Sequence, residues 1–217
     1  MEKQSTDQLI EGGSIPTSPL QVKFISKVLA QELIIQNHYL HRKASCSWAV
    51  GLLQSEQIVG VALFGSPVSH TLCEGICGYD ERLNVVELTR LWVHDKLSRN
   101  TESWFLSRAL RFIPKDIIVA FADPSVGHLG IVYQACSFIY TGLGAKRKKW
   151  QPKGGTTKHF HRSFTAKTTY AVAKQQNELE YVPAIRKHRY IKFNCHGRRR
   201  KELLNKLKYP ILAYVKS

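Results

Sequence analysis

The chain has 217 residues, 43% of them apolar, and a formal net charge of +16, which is enough length and apolar content for one substantial packed core. No apolar run approaches the roughly 20 residues needed to span a bilayer, and the opening MEKQSTDQLIEGGSIPTSP is too polar for a signal peptide. A membrane-spanning or exported protein is set aside on these grounds, and a cytoplasmic one is expected.

Residues 1–19 contain Gly12, Gly13, Pro16 and Pro19 and read as a flexible lead-in. Over residues 20–36, Val22, Ile25, Val28, Leu29 and Leu33 recur at roughly helical spacing, which predicts an amphipathic helix ending before NHYLHR. SWAVGLL and QIVGVALFG are β-prone runs split by a polar turn at residues 55–57, the pattern of a β-hairpin. VVELTRLWV is the next strand. Asn100 is placed to cap a helix whose apolar face is Trp104, Phe105, Ala109, Leu110 and Ile113. IIVAFAD is short and nearly all apolar, as a central strand buried on both faces would be. GHLGIVYQACSF follows as a helix and FIYTG as a strand, so the order of elements predicts a mixed α/β sheet. Past Gly142, TYAVA, YVPAI and RYIKF suit short strands, and RRKELLNKLK suits a helix with Leu203, Leu204 and Leu207 inward. The expected division is a core over residues 20–145 and a basic appendage over residues 146–217, packed on the same domain. The cysteines, Cys46, Cys73, Cys77, Cys136 and Cys195, have no CxxC spacing and read as buried thiols.

The charge is unevenly placed. Up to residue 141 there are 12 Lys and Arg against 13 Asp and Glu, and from residue 142 onward there are 20 against 3. Lys146, Arg147, Lys148 and Lys149 form one cluster. Arg186, Lys187, Arg189 and Lys192 form a second, and Arg198, Arg199, Arg200 and Lys201 a third, with Trp150, Phe160, Phe164, Tyr190 and Phe193 between them. Cations at this density attract a polyphosphate backbone by counterion release, and interleaved rings can stack on an exposed base. Nucleic acid is the expected partner, and a plain solvated basic face is the alternative. No amphipathic anchor for a membrane surface is present.

The element order and the pattern GxxYQAxxFxYTG resemble the acetyltransferase superfamily related to the Gcn5 histone acetyltransferase, in which a helix tyrosine before the last core strand serves as general acid. Taken in order, NHYLHR, GSP, ELTRLWV, the NTES turn, FADPSVGHLGIVYQACSFIYTG and HRYIKF resemble more narrowly the Mom family of bacteriophage DNA-modification proteins. That family converts adenine in phage DNA to an N6-carbamoylmethyl form that resists host restriction. The resemblance spans residues 37–193. It implies an acetyltransferase-like sheet flanked by helices and a substrate of double-stranded DNA with a flipped adenine. It also implies a small-molecule donor of the group, and action in the host bacterial cytoplasm. Its functional positions fall on His38, Tyr39, Arg90, Ser103, Asp123 and Tyr133, and it implies iron at His38, Tyr39 and Asp123. The superfamily's usual ligand is acyl-CoA, held at a glycine-rich turn. Here that turn is VHDKLSRNTES, without glycine, which leaves Arg99, Asn100, Thr101 and Ser103 to bind phosphate through side chains and the helix N-terminus.

Each of these residues also has a plain structural reading. Asp123 precedes Pro124 at a strand end, where it suits a general base or an acceptor for an amino group, or else a cap on the following turn. Tyr133 sits in a helix as a proton donor or as core packing. His38 and His41 stand three apart in a polar loop, with His128 as a further ligand or supporting partner. Arg90 alternates with Leu88 and Trp92 and calls for an anion, either Glu87 or a donor's anionic group. Ser103 is equally ordinary helix-start polarity. Two rival functions stand beside DNA modification. One is an acyl-CoA-dependent N-acetyltransferase acting on a protein, small molecule or tRNA, and the other a non-enzymatic DNA-binding protein on the same fold.

Overall fold

Strand β1 (Gln21–Phe24) and helix α1 (Lys27–Asn37) occupy the segment for which one helix is expected. The computed structural model describes residues 19–67, 69–153 and 179–216. Val22 and Phe24 pair with Leu52 and Val50 of β2 (Trp48–Gln54), and the Phe24 ring meets Phe112 edge-on at 5.1 Å. The open ladder edge of β2 offers backbone partners that a single extra helical turn would not, so tertiary pairing overrides the short helical period. β2 and β3 (Gln57–Gly65) form the predicted hairpin, with Ser55 and Glu56 both left-handed at φ 47° and 65°, as a tight hairpin turn requires.

Helix α2 (His70–Cys77) follows. Its signal was present in the sequence, since the Ser69 hydroxyl accepts from Leu72 N–H and Cys73, Ile76 and Cys77 form its buried stripe. β4 (Val85–Val93) leads through a polar turn to α3 (Thr101–Ala109), and β5 (Ile117–Ala122) to a short α4 (Ile131–Ala135) and β6 (Ile139–Leu143). The chain then forms a separate two-stranded ribbon of β7 (Lys148–Pro152) and β8 (Leu179–Pro183), returns as β9 (His188–Phe193), and enters α5 (Gly197–Lys206). The expected strand TYAVA and the rings of Phe160 and Phe164 lie outside the described residues, as do residues 1–18 of the expected lead-in.

The main sheet has the order β1-β2-β3-β4-β5-β9-β6, antiparallel except for β4 beside β5. HRYIKF, expected within the appendage, is therefore a strand of the main sheet, hydrogen-bonded to β5 on one side and β6 on the other. Its sequence suits that place, because Tyr190 faces one core layer while Ile191 and Phe193 face the other. On one side of the sheet, Phe105, Leu106 and Leu110 of the α3 region pack on Phe64, Ile118, Ala120 and Phe138. On the other, α1 covers Val61 and Leu63 through Ala30 and Ile34, and α2 and α5 cover Ile117 and Val119 through Ile76 and Leu203. Each such aliphatic or aromatic side chain contributes roughly 1.5–3 kcal/mol on burial. No helix among the described residues is long and apolar enough to cross a membrane.

Two irregularities open the sheet at its centre. The parallel pairing of β4 with β5 covers only Val85–Leu88 against Ile117–Ala120; beyond it β4 stays with β3 and β5 with β9, so a V opens between them. In addition, Leu63 pairs with Arg90 but Phe64 with Leu88, which makes Thr89 the extra residue of a β-bulge. Before the bulge Val86 and Leu88 face the α3 layer, and after it Leu91 and Val93 do.

Candidate active site

A cavity of about 310 Å³ fills the V between the diverging strands, within the size range of small-ligand sites. Thr89, Arg90 and Leu91 line it from β4 and Phe121 and Ala122 from β5, with His38 and Tyr39 from the loop after α1. Leu129, Gly130 and Tyr133 close it from the α4 side, and Lys187 stands at its edge. The opening thus lies at the carboxyl ends of β4 and β5, where open α/β sheets place their ligands.

The bulge at Thr89 decides where Arg90 goes. Alternation across a regular strand would place Arg90 with Leu88 against the α3 layer; the extra residue turns it to the opposite face and into the cleft. Thr89 Oγ1 locks the bulge by donating to Ser45 O (2.9 Å) and Leu63 O (3.1 Å). Arg90 Nη1 donates to Thr89 O (2.6 Å), while its buried Nε has no hydrogen-bond partner among the described residues. A buried guanidinium nitrogen in that state is a ready donor to an anionic ligand group.

His38 is buried, and its ring stacks on Tyr39 at 4.4 Å; Tyr39 in turn meets His128 edge-on at 5.2 Å. Burial, and then the Arg90 charge, push His38 down to about 3, so its imidazole is neutral at physiological pH. Leu40 N–H donates to His38 Nδ1 (3.1 Å), which places the ring proton on Nε2. Burial, followed by the Asp123 carboxylate, raises Tyr39 above the ordinary tyrosine value.

Asp123 caps the turn after β5, as its position before Pro124 suggested. Oδ1 accepts from Ser125 N–H (3.0 Å) and Ser125 Oγ (2.6 Å), and Oδ2 pairs with Lys187 Nζ (3.1 Å). Burial alone would raise this carboxyl, but the Ser125 hydroxyl, the Lys187 charge and the Ser125 amide outweigh it and hold it below the usual value. Tyr133 packs on Phe138 at 5.5 Å and on Tyr190 at 5.4 Å. Burial, and then the neighbouring Tyr39 and Glu102, keep its hydroxyl protonated well beyond neutral pH. The wall carrying Tyr133 is braced from β9: Tyr190 Oη donates to Leu129 O (2.5 Å) and accepts from Gln134 Nε2 (3.2 Å).

These contacts correct several expectations. Iron at His38, Tyr39 and Asp123 does not fit the donors present. A metal-bound imidazole donates its second N–H, whereas His38 Nδ1 is an acceptor, and both Asp123 oxygens are engaged by Ser125 and Lys187. Among the described residues no group of three or more His, Cys, Asp and Glu is placed to hold a metal. Arg99, Asn100 and Ser103 do not line the cleft, although Glu102 of the same NTES turn, to which the resemblance assigns no role, does. Ser103 Oγ donates to Asn100 O (3.0 Å) and Thr101 Oγ1 to Ser98 O (2.6 Å), while Asn100 is left-handed at φ 69° with no side-chain cap bond. The turn folds its hydroxyls back on itself and presents no glycine-lined cradle for the pyrophosphate of CoA.

Two of the expected DNA-binding arginines are structural. Arg189 is buried, donates from Nε to Thr141 Oγ1 (2.9 Å) and from Nη2 to Thr141 O (2.9 Å), and lies 3.4 Å from the Tyr209 ring centroid. Arg199 bonds Glu81, Asp116 and Glu202. Lys146, Arg147, Lys148, Arg198 and Arg200 are exposed, and Arg186 donates to the carbonyls of Leu143 and Gly144. Lys149 lies in β7, and its side chain is outside the described set.

The model of the Mom protein family matches residues 19–214. The methylcarbamoylase Mom of Escherichia phage Mu is 28% identical over 206 residues, covering 91% of this chain and 84% of that protein. Among solved structures, the chain is similar to the Salmonella typhimurium acetyltransferase yncA with acetyl-CoA, at TM-score 0.47 and 14% identity over 83% of this chain and 97% of that one. It is also similar to the Escherichia coli ribosomal-protein-S18-alanine N-acetyltransferase, at TM-score 0.46 and 10% identity over 83% and 97%.

Proposed function

The chain belongs to the Mom protein family, and from that premise we propose that it is a phage-type DNA-modification enzyme converting adenine to N6-carbamoylmethyladenine, which protects the DNA from host restriction. The observation that carries this reading is the cleft in the β4–β5 splay, where the Tyr39 and neutral His38 rings, an arginine with a buried, unpaired Nε and a protonated tyrosine converge.

An adenine inside a duplex cannot reach such a cleft, so it is extruded first. The faces of Tyr39 and His128 suit a purine ring, and His38 Nε2–H is a donor to a ring nitrogen. The exocyclic N6 is a weak nucleophile because its lone pair is delocalised into the ring. Its proton leaves as the bond from N6 to the methylene carbon of the carbamoylmethyl unit forms and the bond from that carbon to the donor's leaving group breaks. Asp123 does not itself line the cleft but pairs with Lys187, which does; held charged by Lys187 and Ser125 and with carboxylate lone pairs left over beyond those contacts, it takes the proton from the amino N–H. Tyr133, which keeps its proton, supplies it to the leaving group. Arg90 meets the donor's anionic group with its unsatisfied Nε.

The test is expression in a bacterium, digestion of plasmid DNA to nucleosides and mass spectrometry of the adenosine fraction. A mass gain corresponding to carbamoylmethyl is expected, and Asp123→Ala abolishes it while leaving DNA affinity largely intact. A normal nucleoside profile from soluble, folded protein rules the proposal out; acetyl-CoA consumption with an amine substrate and unchanged DNA assigns the chain to N-acetyl transfer instead.

A further inference from the structure

The described cations of the C-terminal third differ in their partners. Arg189 and Arg199 are held by the fold itself, and Lys187 is paired with Asp123. Lys146, Arg147 and Lys148 are exposed and enter no ion pair among the described residues. They stand where the chain leaves the main sheet for the β7–β8 ribbon, which pairs with no other strand among the described residues.

The root of that ribbon is fixed to the cleft. Gly144 N–H donates to Lys187 O (2.8 Å), Arg186 Nε donates to Gly144 O (2.7 Å), and Ala184 N–H donates to Arg147 O (2.8 Å). Lys187 is also part of the cleft lining. Farther along, Lys148 Nζ lies 5.5 Å from the Tyr181 ring centroid, and Tyr181 and Ile185 are 51% and 62% exposed. A narrow basic ribbon with an aromatic ring on it thus starts at the residue that borders the cleft.

We propose that the β7–β8 ribbon is a DNA-contacting arm that lies in the major groove beside the extruded adenine, with Lys146, Arg147 and Lys148 on the phosphates. This rests on the reading that duplex DNA is the substrate. A two-stranded ribbon fits the major groove of B-DNA, about 12 Å wide, and cations without carboxylate partners keep their full charge for phosphates. Because the root and the cleft share Lys187, a duplex seated on the arm presents a neighbouring nucleotide to the cleft. The exposed cations of α5, Arg198, Arg200 and Lys201, belong to a helix packed on α2 and β9, and none of them lines the cleft.

The experiment measures binding of a labelled duplex to the full chain by fluorescence anisotropy as a function of salt. It compares the wild type with K146A/R147A/K148A and with R198A/R200A/K201A, which removes the same charge from α5. Each lost phosphate contact lowers the slope of log K against log salt by ~0.9, so the ribbon variant should lose ~2.7 and the α5 variant less than ~1. Equal losses from the two variants, an unchanged slope in the ribbon variant, or no duplex binding by the wild type each overturn the arm. Nucleoside analysis of the same proteins separates this outcome from the chemistry. Modified DNA with ribbon-independent binding removes the arm alone, whereas ribbon-dependent binding with unmodified nucleosides keeps the arm and removes the proposed transfer.

Discussion

At the scale of single residues, the site depends on how protons are held. Tyr133 holds its proton because its ring is packed against Phe138 and Tyr190, where a phenolate would lose solvation and then meet the repulsion of Tyr39 and Glu102. Tyr133→Phe keeps that packing and removes only the hydroxyl. Its unfolding free energy should stay within about 1 kcal/mol of wild type, while adenine modification falls roughly 10²- to 10⁴-fold, as for loss of a general acid. Thermal unfolding and nucleoside mass spectrometry check the two halves; retained modification would assign Tyr133 to packing alone. The place of Asp123 was legible in the sequence, because an apolar run ending in Asp-Pro puts the carboxylate at a strand end. Its pairing with Lys187, 64 positions away in the chain, was not. Nothing local to either residue encodes that contact.

At the scale of elements, the cleft exists because two regular patterns break. Reading VVELTRLWV as a plain alternating strand puts Arg90 with Leu88, and only the pairing with β3 reveals that Thr89 is an insertion that reverses the alternation. The α4 wall depends on a second break, at Gly130. Its φ of +81° is a conformation L side chains rarely adopt, and a Cβ there would run into the Tyr190 ring. Gly130→Ala should therefore cost more than about 1 kcal/mol in stability. By pushing Leu129 and Tyr133 out of place it should also suppress modification. A lowered Tm with weakened modification is the expected result, and a variant with unchanged Tm would mean that the wall yields without cost. Apolar periodicity alone runs one helix through this glycine. The two glycines of GHLG were the available signal that the chain turns before the helix begins.

At the scale of the whole molecule, β9 and α5 of the C-terminal third are part of the body of the protein. β9 sits between β5 and β6, and α5 is tied to the segment before β4 by Arg199 and Lys206 on Glu81, with Arg199 also on Asp116 at the start of β5. The Arg199 hydrogen bonds to Glu81, with help from Asn84 and Lys206, hold the buried Glu81 carboxyl at about 2. A depressed folded-state value means that this stabilisation is complete above the ordinary carboxylate value of 4.5 and is lost as the pH falls toward 2. Glu81→Gln should lower stability at neutral pH by roughly 1–3 kcal/mol and flatten the acid limb between those two pH values. Unfolding measured across that range checks it, and an acid limb as steep as the wild type's would place the dependence elsewhere. By itself the sequence determined the mixed α/β class, the hairpin, the strands β4 and β5, the charge asymmetry and the family resemblance. All of these are carried by local periodicity, composition and motif order. Only the tertiary structure decided that HRYIKF enters the main sheet, that Arg90 turns into the cleft, and that Arg189 and Arg199 serve the fold. Each of those outcomes is set by a partner distant in sequence, and backbone pairing and charge neutralisation are satisfied only when the chain brings that partner into contact.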